Sequence, residues 1–443
     1  DAALLLSRKI PKLSFHSRHH TGTRMQRRSQ ADRALLIGAI ICLWAGLGVV
    51  PAHARPSFEA WRAALWPDAR AFGITRDTFD SAFRGVTPDK SLPDLVRPSG
   101  KKIPGRGQAE FTRPPQAYVD HARIARLAKT GRDLARKYSR VLDKIEARFG
   151  VDRAAILAIW GRETAYGTYK VRHDAIRALA TQAYMGRRAD MFRQELLFAL
   201  KMLQDGVVTR ERLRTSWAGA TGLTQFMPSE FDKLAVDIDG DGRRDIWSVP
   251  DALASAANQL AAKGWISGRT WGYEVRLPKG VTCAEDGPPR AKPIRAWTGR
   301  GVRRVAGRTF TRESLDYETF LFSPGGGMGP TFLVTENFMV FKRYNMSDLY
   351  ALFVGHLMDR IQGGGRFIQG WERITQLPTR QIAAIQRILQ REGYAIEKID
   401  GFIGPNTRSQ IGTYQLRKGL PVDCWPSANL LATMQRLSSA RDR

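Results

Sequence analysis

The chain has 443 residues, a formal net charge of +28, 43% hydrophobic residues and 25% charged residues. This composition lies within the ordinary range of globular proteins and excludes both wholesale disorder and a protein that crosses a membrane many times. The length exceeds that of a typical single domain, so we expect two folded units besides any export segment.

The first 54 residues have the pattern of a cleavable export signal. Three arginines between positions 27 and 33 precede the apolar run 34–50, which ends in Pro-Ala-His-Ala54. A basic segment, an apolar segment and an A-x-A end predict cleavage after Ala54. Met25 is a candidate start of translation, and a retained membrane anchor is the alternative to cleavage.

Without residues 1–54 the chain keeps 62 basic and 40 acidic residues, a net charge of +22. A strongly basic exported protein favours a polyanionic partner, and the anionic cell wall lies where the signal would send the chain. Nucleic acid is not expected as a partner because export separates the two and no nucleic-acid-binding motif is recognisable. Part of the excess charge is interpreted as solvated surface.

Two cysteines remain in the exported part of the chain, Cys283 and Cys424. Their spacing does not fit a metal site. An interdomain disulfide is the alternative in an oxidising compartment, but we expect two free cysteines.

Apolar residues recur at helical spacing over much of the chain, while one section has the character of short strands. The section 271–311 contains the strand-like pieces Tyr273–Leu277 and Val302–Val305 between Gly/Pro turns, which predicts a small β insertion. Helices are predicted over 120–149 with Gly150 as C-cap, from the N-cap Asp152, over 190–204, over 251–263 before Gly264, and over 347–361.

The helix that begins after Asp152 carries an acid where an apolar residue is expected. Ile156, Ile159 and Trp160 form an apolar stripe that continues at helical spacing to Glu163. Burial of a carboxyl near a helix C-terminus is expected to raise its pKa, which suits a general acid. An ion pair of Glu163 with a nearby arginine, serving structure alone, is the alternative.

A second polar constellation lies at 216–229, where small residues surround Ser216 and Gln225. Glycines allow a substrate to approach the backbone closely. Gln225 and Ser216 could read sugar hydroxyls and N-acetyl groups, while a tight turn before a helix is the plainer interpretation.

From about Phe58 to Arg360, the chain resembles the family of membrane-bound lytic murein transglycosylase B. The resemblance implies a lysozyme-like catalytic domain with Glu163 as the catalytic acid/base. It also implies a cleft lined by Ser216, Gln225, Tyr344, Asn345 and Tyr118. The matching motifs are 156–167, 178–181, 186–188, 216–229, 235–242, Gly264-Trp265 and 343–345.

Most glycosidases use two carboxylates, and the sequence offers no second acid with surroundings like those of Glu163. One carboxyl suffices if it protonates the leaving oxygen and then, as carboxylate, takes the proton of the C6 hydroxyl of the same muramic sugar. We therefore expect a lytic transglycosylase that cuts the MurNAc-GlcNAc β-1,4 bond and leaves 1,6-anhydromuramoyl ends, without a cofactor for catalysis. Asn345 and Ser216 would orient the N-acetyl group or the intermediate. A hydrolytic muramidase and a non-catalytic cell-wall-binding protein are the alternatives.

The segment from Asp237 has the 1, 3, 5 acid spacing and the Gly at position 6 of an EF-hand calcium loop, with Asp239 and Asp241 as the next acids. Position 12 is Ser248 rather than Glu, and Asp251 follows at position 15. The resembled family has a lengthened loop of this kind, with a carbonyl ligand where Arg243 stands. A structural calcium site is one interpretation, and an Asp-rich capping turn is the other.

The C-terminal part resembles the type 1 peptidoglycan-binding domain, a three-helix unit, over Leu377 to about Leu437. An amphipathic helix ends at Gly393, and a turn at 400–407 leads into a helix from Arg408 to Lys418. One departure from the pattern is Cys424, where Gly is usual. A helical interaction module without affinity for the wall is the alternative.

Together these patterns predict a mainly α (α+β) protein in three parts. Residues 1–54 are an upstream extension and signal peptide, 55–365 the lysozyme-like catalytic domain with its β insertion, and 366–443 the peptidoglycan-binding domain with its linker. The expected partner is the glycan strand of peptidoglycan. The expected location is the periplasm of a Gram-negative-type cell, as a monomer without a stable membrane anchor.

Overall fold

Helices dominate the described part of the chain, residues 55–96 and 113–441 of a computed structural model. The mainly α prediction is confirmed, while the predicted signal peptide in 1–54 lies outside the described residues. The helices are α1 Phe58–Ala71, α2 Arg76–Phe83, α3 Pro115–Tyr118, α4 His121–Lys137, α5 Ser139–Phe149, α6 Arg153–Thr164, α7 Ala175–Met185, α8 Ala189–Gln204, α9 Pro228–Leu234, α10 Val249–Ala262, α11 Ile294–Gly299, α12 Glu336–Tyr344, α13 Asp348–Ile361, α14 Thr379–Arg391, α15 Pro405–Arg417 and α16 Ala428–Arg441.

The predicted helix over 120–149 is in fact two helices, α4 and α5. Tyr138, at φ −104° and ψ 21°, leaves helical geometry and separates them. The predicted ends are confirmed. The Asp120 side chain accepts a hydrogen bond from Arg123 N at the start of α4, and Gly150 ends α5 in the left-handed conformation, at φ +64°.

Helix α6 lies at the centre of the larger hydrophobic core. Every side chain from Ala154 to Trp160 is buried, so apolar neighbours enclose the helix on all sides rather than along one stripe. Helices α4, α10 and α13 pack around it. Close packing continues at Gly161, where a Cβ would lie 2.7 Å from the Tyr166 ring. Helix α6 therefore presents its C-terminal end on a rigid support.

The β insertion is a five-stranded antiparallel sheet with the order β4-β6-β7-β3-β5. The two predicted strand pieces are confirmed as β3 and β5. Strands β6 and β7 were not predicted, because both are buried almost throughout and lack the alternation that marks a half-exposed strand. The strands are β3 Gly272–Arg276, β4 Lys292–Pro293, β5 Arg303–Arg304, β6 Glu318–Phe322 and β7 Thr331–Val334, besides the short pair β1 His173–Asp174 and β2 Arg214–Thr215.

Three C-terminal helices, α14, α15 and α16, form the predicted small helical unit around their own apolar core. Gln386 is buried inside it and accepts a hydrogen bond from Gly401 N at 2.8 Å. Cys424 stands at a turn position where Gly is usual, and it adopts the left-handed conformation of that turn, at φ +54°. Its backbone N–H donates to Gln415 Oε1 at 2.9 Å, which holds this less favourable conformation in place.

The expectation of two free cysteines is wrong, because Cys283 and Cys424 form a disulfide. The chain folds back so that α15 packs against the segment around Cys283, and this contact could not be read from positions 141 residues apart. The contact is also polar. Arg408 Nε donates to the buried Asp286 carboxylate at 2.8 Å, and Ser409 Oγ donates to Ala284 O at 2.7 Å.

The segment predicted as a linker packs against the sheet insertion. Glu274 of β3 accepts hydrogen bonds from the backbone N–H groups of Ile368 and Gln369. The described residues from 55 onward accordingly form one compact unit, and the domain boundary at 365/366 stays a prediction. Within the described ranges, no helix has the length and apolar character needed to cross a membrane.

Candidate active site

Glu163 lies one residue before the C-terminal end of α6 and is half-buried. The helix stops at once because Ala165 and Tyr166 both adopt left-handed conformations, at φ +48° and +62°. Thr164 Oγ1 donates to Leu223 O at 2.6 Å, which attaches this helix end to the 216–229 loop. The carboxyl thus sits where a rigid helix meets a polar loop.

Two stacked tyrosines lie beside this carboxyl. Tyr350 Oη donates to Glu163 Oε1 at 2.5 Å, and Tyr344 Oη donates to Thr224 O at 2.6 Å. Their rings are nearly parallel, at 7°, with centroids 6.4 Å apart. Burial and then the negative charge of Glu163 raise the pKa of both hydroxyls well above 10. Both therefore remain neutral donors at any physiological pH.

Tyr350 is a site residue that the sequence analysis missed. It lies on the buried face of α13, three residues after the N-cap Ser347, whose Oγ accepts from Tyr350 N. A tyrosine at such a position is ordinarily interpreted as core. Only the position of its hydroxyl reveals the role, because a wholly buried phenol needs a hydrogen-bond partner and finds Glu163.

The half-buried Arg162 places a positive charge next to the carboxyl. Arg162 donates through Nη2 to Tyr118 Oη, and its Cζ lies 5.4 Å from the ring centroids of both Tyr118 and Tyr350. Burial lowers the pKa of Arg162, but Tyr118 and Glu163 together raise it by more. Arg162 thus stays charged next to Glu163, and it connects the predicted cleft residue Tyr118 to the site.

The 216–229 loop is held by its own side chains and backbone. Ser216 Oγ accepts from Ala218 N at 3.3 Å and from Ala220 N at 3.2 Å. Gln225 is held at φ +58°, rare for a residue with a side chain, and its Nε2 donates to Gly222 O at 3.0 Å. A Cβ at Gly222 would lie 2.8 Å from Ile246 O, so the loop needs glycine there. Ser216 and Gln225 are both half-buried.

Asn345 immediately follows Tyr344 at the end of α12 and is half-buried. Its backbone N–H donates to Phe341 O at 3.2 Å, and its carbonyl accepts from Ser347 N at 2.7 Å. The next residue, Met346, is 80% exposed, so Asn345 lies between the half-buried Tyr344 and a solvent-exposed residue. The structure therefore connects Tyr344 to Glu163 through Tyr350, and Tyr118 to Glu163 through Arg162. Asn345 follows Tyr344 at the end of α12. Ser216 and Gln225 lie on the loop that accepts hydrogen bonds from Thr164 at the end of α6 and from Tyr344 at the end of α12.

Replacing Tyr350 by Phe is expected to lower kcat by about tenfold to a hundredfold, because a hydrogen bond to a charged group contributes about 1.5–3 kcal/mol. The ring stays, so its stacking on Tyr344 should persist. The measurement is the turnover rate at saturating substrate. Tyr394→Phe, which removes a hydroxyl from the C-terminal unit, is the matched control and should leave the rate unchanged. Equal effects of the two variants on kcat would contradict the role given to Tyr350.

The predicted metal loop brings its acids together. One carboxylate oxygen from each of Asp237, Asp239, Asp241 and Asp251 lies within 4.8 Å of the others. Asp251 is buried and accepts from Ile238 N and Asp245 N, both at 2.9 Å. Burial raises the pKa of Asp251, and the charges of Asp239 and Asp237 raise it further. Arg243 is fixed in the same turn, because its N–H donates to Asp241 Oδ1 at 2.8 Å.

This donor set fits a hard divalent cation. Convergent carboxylate oxygens with backbone carbonyls in the same turn are the ligands that Ca²⁺ prefers. The repulsion that raises the pKa of Asp251 would be relieved by such an ion. The capping-turn interpretation also has support, since Asp237 accepts from Gly240 N and Gly242 N.

Family models match most of the chain. The model of the transglycosylase SLT domain matches residues 57–359, and that of a peptidoglycan binding domain matches residues 379–434. Both matches agree with the resemblances drawn from the sequence.

The named relatives agree with these family matches. Membrane-bound lytic murein transglycosylase B of Escherichia coli (strain K12) is 38% identical over 226 residues, which are 50% of this chain and 60% of that relative. SltB3 of Pseudomonas aeruginosa, solved in complex with NAG-anhNAM-pentapeptide, is 41% identical with a TM-score of 0.77, over 86% of this chain and 99% of SltB3. Soluble lytic transglycosylase SltB1 of Pseudomonas aeruginosa is 27% identical with a TM-score of 0.56, over 70% and 99% of the two chains.

Proposed function

The chain belongs to the transglycosylase SLT domain family, and from that premise we propose that it is a lytic transglycosylase of peptidoglycan with Glu163 as its sole acid/base. The observation that carries the proposal is the setting of Glu163. A half-buried carboxyl on a rigid helix end receives a hydrogen bond from a neutral tyrosine and lies beside a permanently charged arginine. A carboxyl that is surrounded in this way by polar and charged groups supports the assignment of an acid/base residue.

In the first step, the protonated Glu163 gives its proton to the glycosidic oxygen between MurNAc and GlcNAc as the bond breaks. The sugar gains oxocarbenium-like positive charge while Glu163 becomes a carboxylate. Tyr350 donates its hydrogen bond to that carboxylate, and Arg162 compensates its charge. Tyr350 and Arg162 both stabilise the Glu163 carboxylate, which forms as the bond breaks. Catalysis requires interactions that are stronger in the state that the reaction step creates than in the starting state.

In the second step, the Glu163 carboxylate takes the proton from the C6 hydroxyl of the same muramic sugar, and that oxygen bonds to C1. The enzyme returns to its protonated form, no water is consumed, and the product carries a 1,6-anhydromuramoyl end. Ser216 and Asn345 would orient the N-acetyl group, while Gln225, Tyr344 and Tyr118 line the cleft. The ligand of SltB3, which contains anhNAM, supports this product.

A hydrolytic muramidase on the same scaffold would differ in the product. Mass spectrometry of muropeptides released from sacculi separates the two outcomes, because anhydro ends lack the mass of one water. Reducing ends in place of anhydro ends would refute the transglycosylase and favour the muramidase.

The C-terminal unit is proposed to hold the enzyme on glycan strands, in keeping with its match to a peptidoglycan binding domain. The periplasm is the proposed location, from the signal pattern and from cell-wall relatives. A monomer is proposed as the working form.

We further propose that Asp237, Asp239, Asp241 and Asp251, with the carbonyl of Arg243, form a structural calcium site. When bound, the ion would neutralise the clustered carboxylates and fix the loop before α10. Catalysis needs no such ion in this scheme, because Glu163 performs both proton transfers.

Calcium is expected to stabilise the folded chain by about 2–3 kcal/mol at a hundredfold excess over its Kd. The measurement is the midpoint of thermal unfolding with Ca²⁺ and with chelator. Asp239→Asn/Asp241→Asn should abolish the difference, whereas Asp77→Asn/Asp190→Asn, two exposed acids elsewhere, should keep it. An equal response of wild type and the first variant would exclude this site.

A further inference from the structure

An ion-pair cluster joins the C-terminal helical unit to the first turn of α13. Arg408 of α15 is almost wholly buried, with 3% of its side chain exposed, and its Nε donates to Asp286 at 2.8 Å. Its Nη2 lies 3.8 Å from Oδ2 of Asp348, the first residue of α13. The other carboxylate oxygen of Asp348 pairs with Lys342 Nζ of α12 at 2.6 Å. Asp348 therefore links one helix of the C-terminal unit to two helices of the catalytic part.

The charges of this cluster balance and are shielded from water. Two carboxylates face two cations, and none of the four side chains is more than 19% exposed. Burial raises the pKa of Asp286 to about 6, while the charge of Arg408 lowers it and that of Asp348 raises it. Charges removed from solvent interact more strongly than surface charges and are screened less by salt. Moving Arg408 away from Asp348 would leave a shielded charge without part of its compensation, so the cluster resists that movement.

The two helices that meet at Asp348 carry the tyrosines of the proposed active site. Tyr344 lies two residues after Lys342 on α12, and Tyr350 lies two residues after Asp348 on α13. The Tyr350 hydroxyl donates to Glu163, and a hydrogen bond weakens steeply when its distance or angle changes. The position of the first turn of α13 therefore bears directly on the contact between Tyr350 and Glu163.

Attachment of the C-terminal unit does not by itself require Asp348. The disulfide and the hydrogen bond from Ser409 to Ala284 already fix α15 against the sheet insertion. The pair of Arg408 with Asp286 belongs to the same attachment. Asp348 lies outside it, on α13, and extends the attachment to the helix that carries Tyr350.

We propose that Asp348 is a positioning residue for turnover, through which the C-terminal unit holds the first turn of α13 and so keeps the Tyr350 hydroxyl against Glu163. The C-terminal unit then contributes to kcat as well as to binding of the wall. The inference rests on the proposed function, because it assumes that Tyr350 assists the acid/base Glu163.

The test is a double-mutant cycle between Asp348 and Tyr350, read as kcat and KM on soluble peptidoglycan strands. Asp348→Asn is expected to lower kcat about threefold to tenfold and to leave KM within about twofold, because substrate contacts remain while Tyr350 is held less well. In the Tyr350→Phe background the same change should alter kcat by less than about twofold, because the hydroxyl that Asp348 positions is already absent. Asp348→Glu keeps the charge and should recover part of the rate.

A second variant reaches Asp348 from the C-terminal unit. Asp286→Asn/Arg408→Gln removes the cation that faces Asp348 without leaving a buried carboxylate at position 286 unpaired, so the chain should still fold. A single cooperative unfolding transition checks the fold. We expect kcat to fall about threefold with KM again within about twofold, and this loss should also disappear in the Tyr350→Phe background.

The matched control is Glu392→Gln. It removes an ion pair with Lys418 that is shielded to a similar degree but lies wholly within the C-terminal unit, at 3.0 Å. Its kcat and KM should equal those of wild type, which accounts for the general effect of losing a shielded ion pair in the chain.

Two results would overturn the inference while leaving the proposed function intact. One is additive losses of kcat in Asp348→Asn and Tyr350→Phe, which would show that Asp348 does not act through Tyr350. The other is an unchanged kcat in Asp348→Asn or in Asp286→Asn/Arg408→Gln. If wild type does not cleave the strands, the proposed function fails and the inference fails with it.

Discussion

Glu163→Gln is expected to reduce kcat by about 10³- to 10⁴-fold, at the upper end of what general acid/base catalysis contributes. The loss should be this large because one carboxyl performs both proton transfers, and an amide performs neither. Gln has nearly the same shape and can still accept the hydrogen bond from Tyr350, so the fold and the cleft should remain. The measurement is the mass-resolved release of muropeptides from sacculi.

Glu59→Gln is the control, since Glu59 is exposed on α1 and should not affect turnover. Binding of the Glu163→Gln chain to sacculi should equal that of wild type, which separates lost chemistry from lost recognition. Release of anhydromuropeptides by the variant at more than about a tenth of the wild-type rate would exclude Glu163 as sole acid/base.

Loss of the disulfide in Cys283→Ser/Cys424→Ser is expected to lower the free energy of unfolding by about 4–5 kcal/mol. The bond closes a loop of 141 residues, and in the chain-entropy model a loop this long restricts the unfolded chain strongly. The measurement is the denaturant midpoint with and without reductant. Reductant should lower the midpoint of wild type to that of the variant and leave the variant unchanged.

Peptide mapping without reduction supplies an independent check. It should recover Cys283 and Cys424 on one linked fragment of the wild-type chain. Separate, alkylated cysteines together with an unchanged midpoint would show that the two sulfurs are not joined in the folded protein.

The disulfide restricts how the C-terminal helical unit can move. Together with the Asp286–Arg408 ion pair and the hydrogen bond from Ser409 to Ala284, it fixes α15 against the sheet insertion of the catalytic part. A flexible tether would let the unit search the wall independently of the cleft. These contacts instead fix the orientation of the C-terminal unit relative to the sheet insertion.

Much of the site was predictable because its chemistry lies in local sequence. Glu163 stood out as an acid in an apolar helix, and the helix, its N-cap Asp152 and its position near the end are all confirmed. The acid spacing of 237–241 likewise predicted a cluster, because a tight turn alone brings those carboxylates together. Such features depend on neighbours a few residues apart, which the sequence displays directly.

What the tertiary structure alone decided depends on residues far apart in the chain. Tyr350 and Glu163 are 187 positions apart in the chain, and Cys283 and Cys424 are 141 positions apart. The sequence around one residue of each pair gives no indication of its partner. Strands β6 and β7 were not predicted for a related reason. They are buried on both faces, so their sequences lack the alternation of apolar and polar residues by which a half-exposed strand is recognised. Periodicity records how a residue relates to its own helix or strand, whereas hydroxyl–carboxyl contacts, disulfides and a central sheet are set by packing between elements.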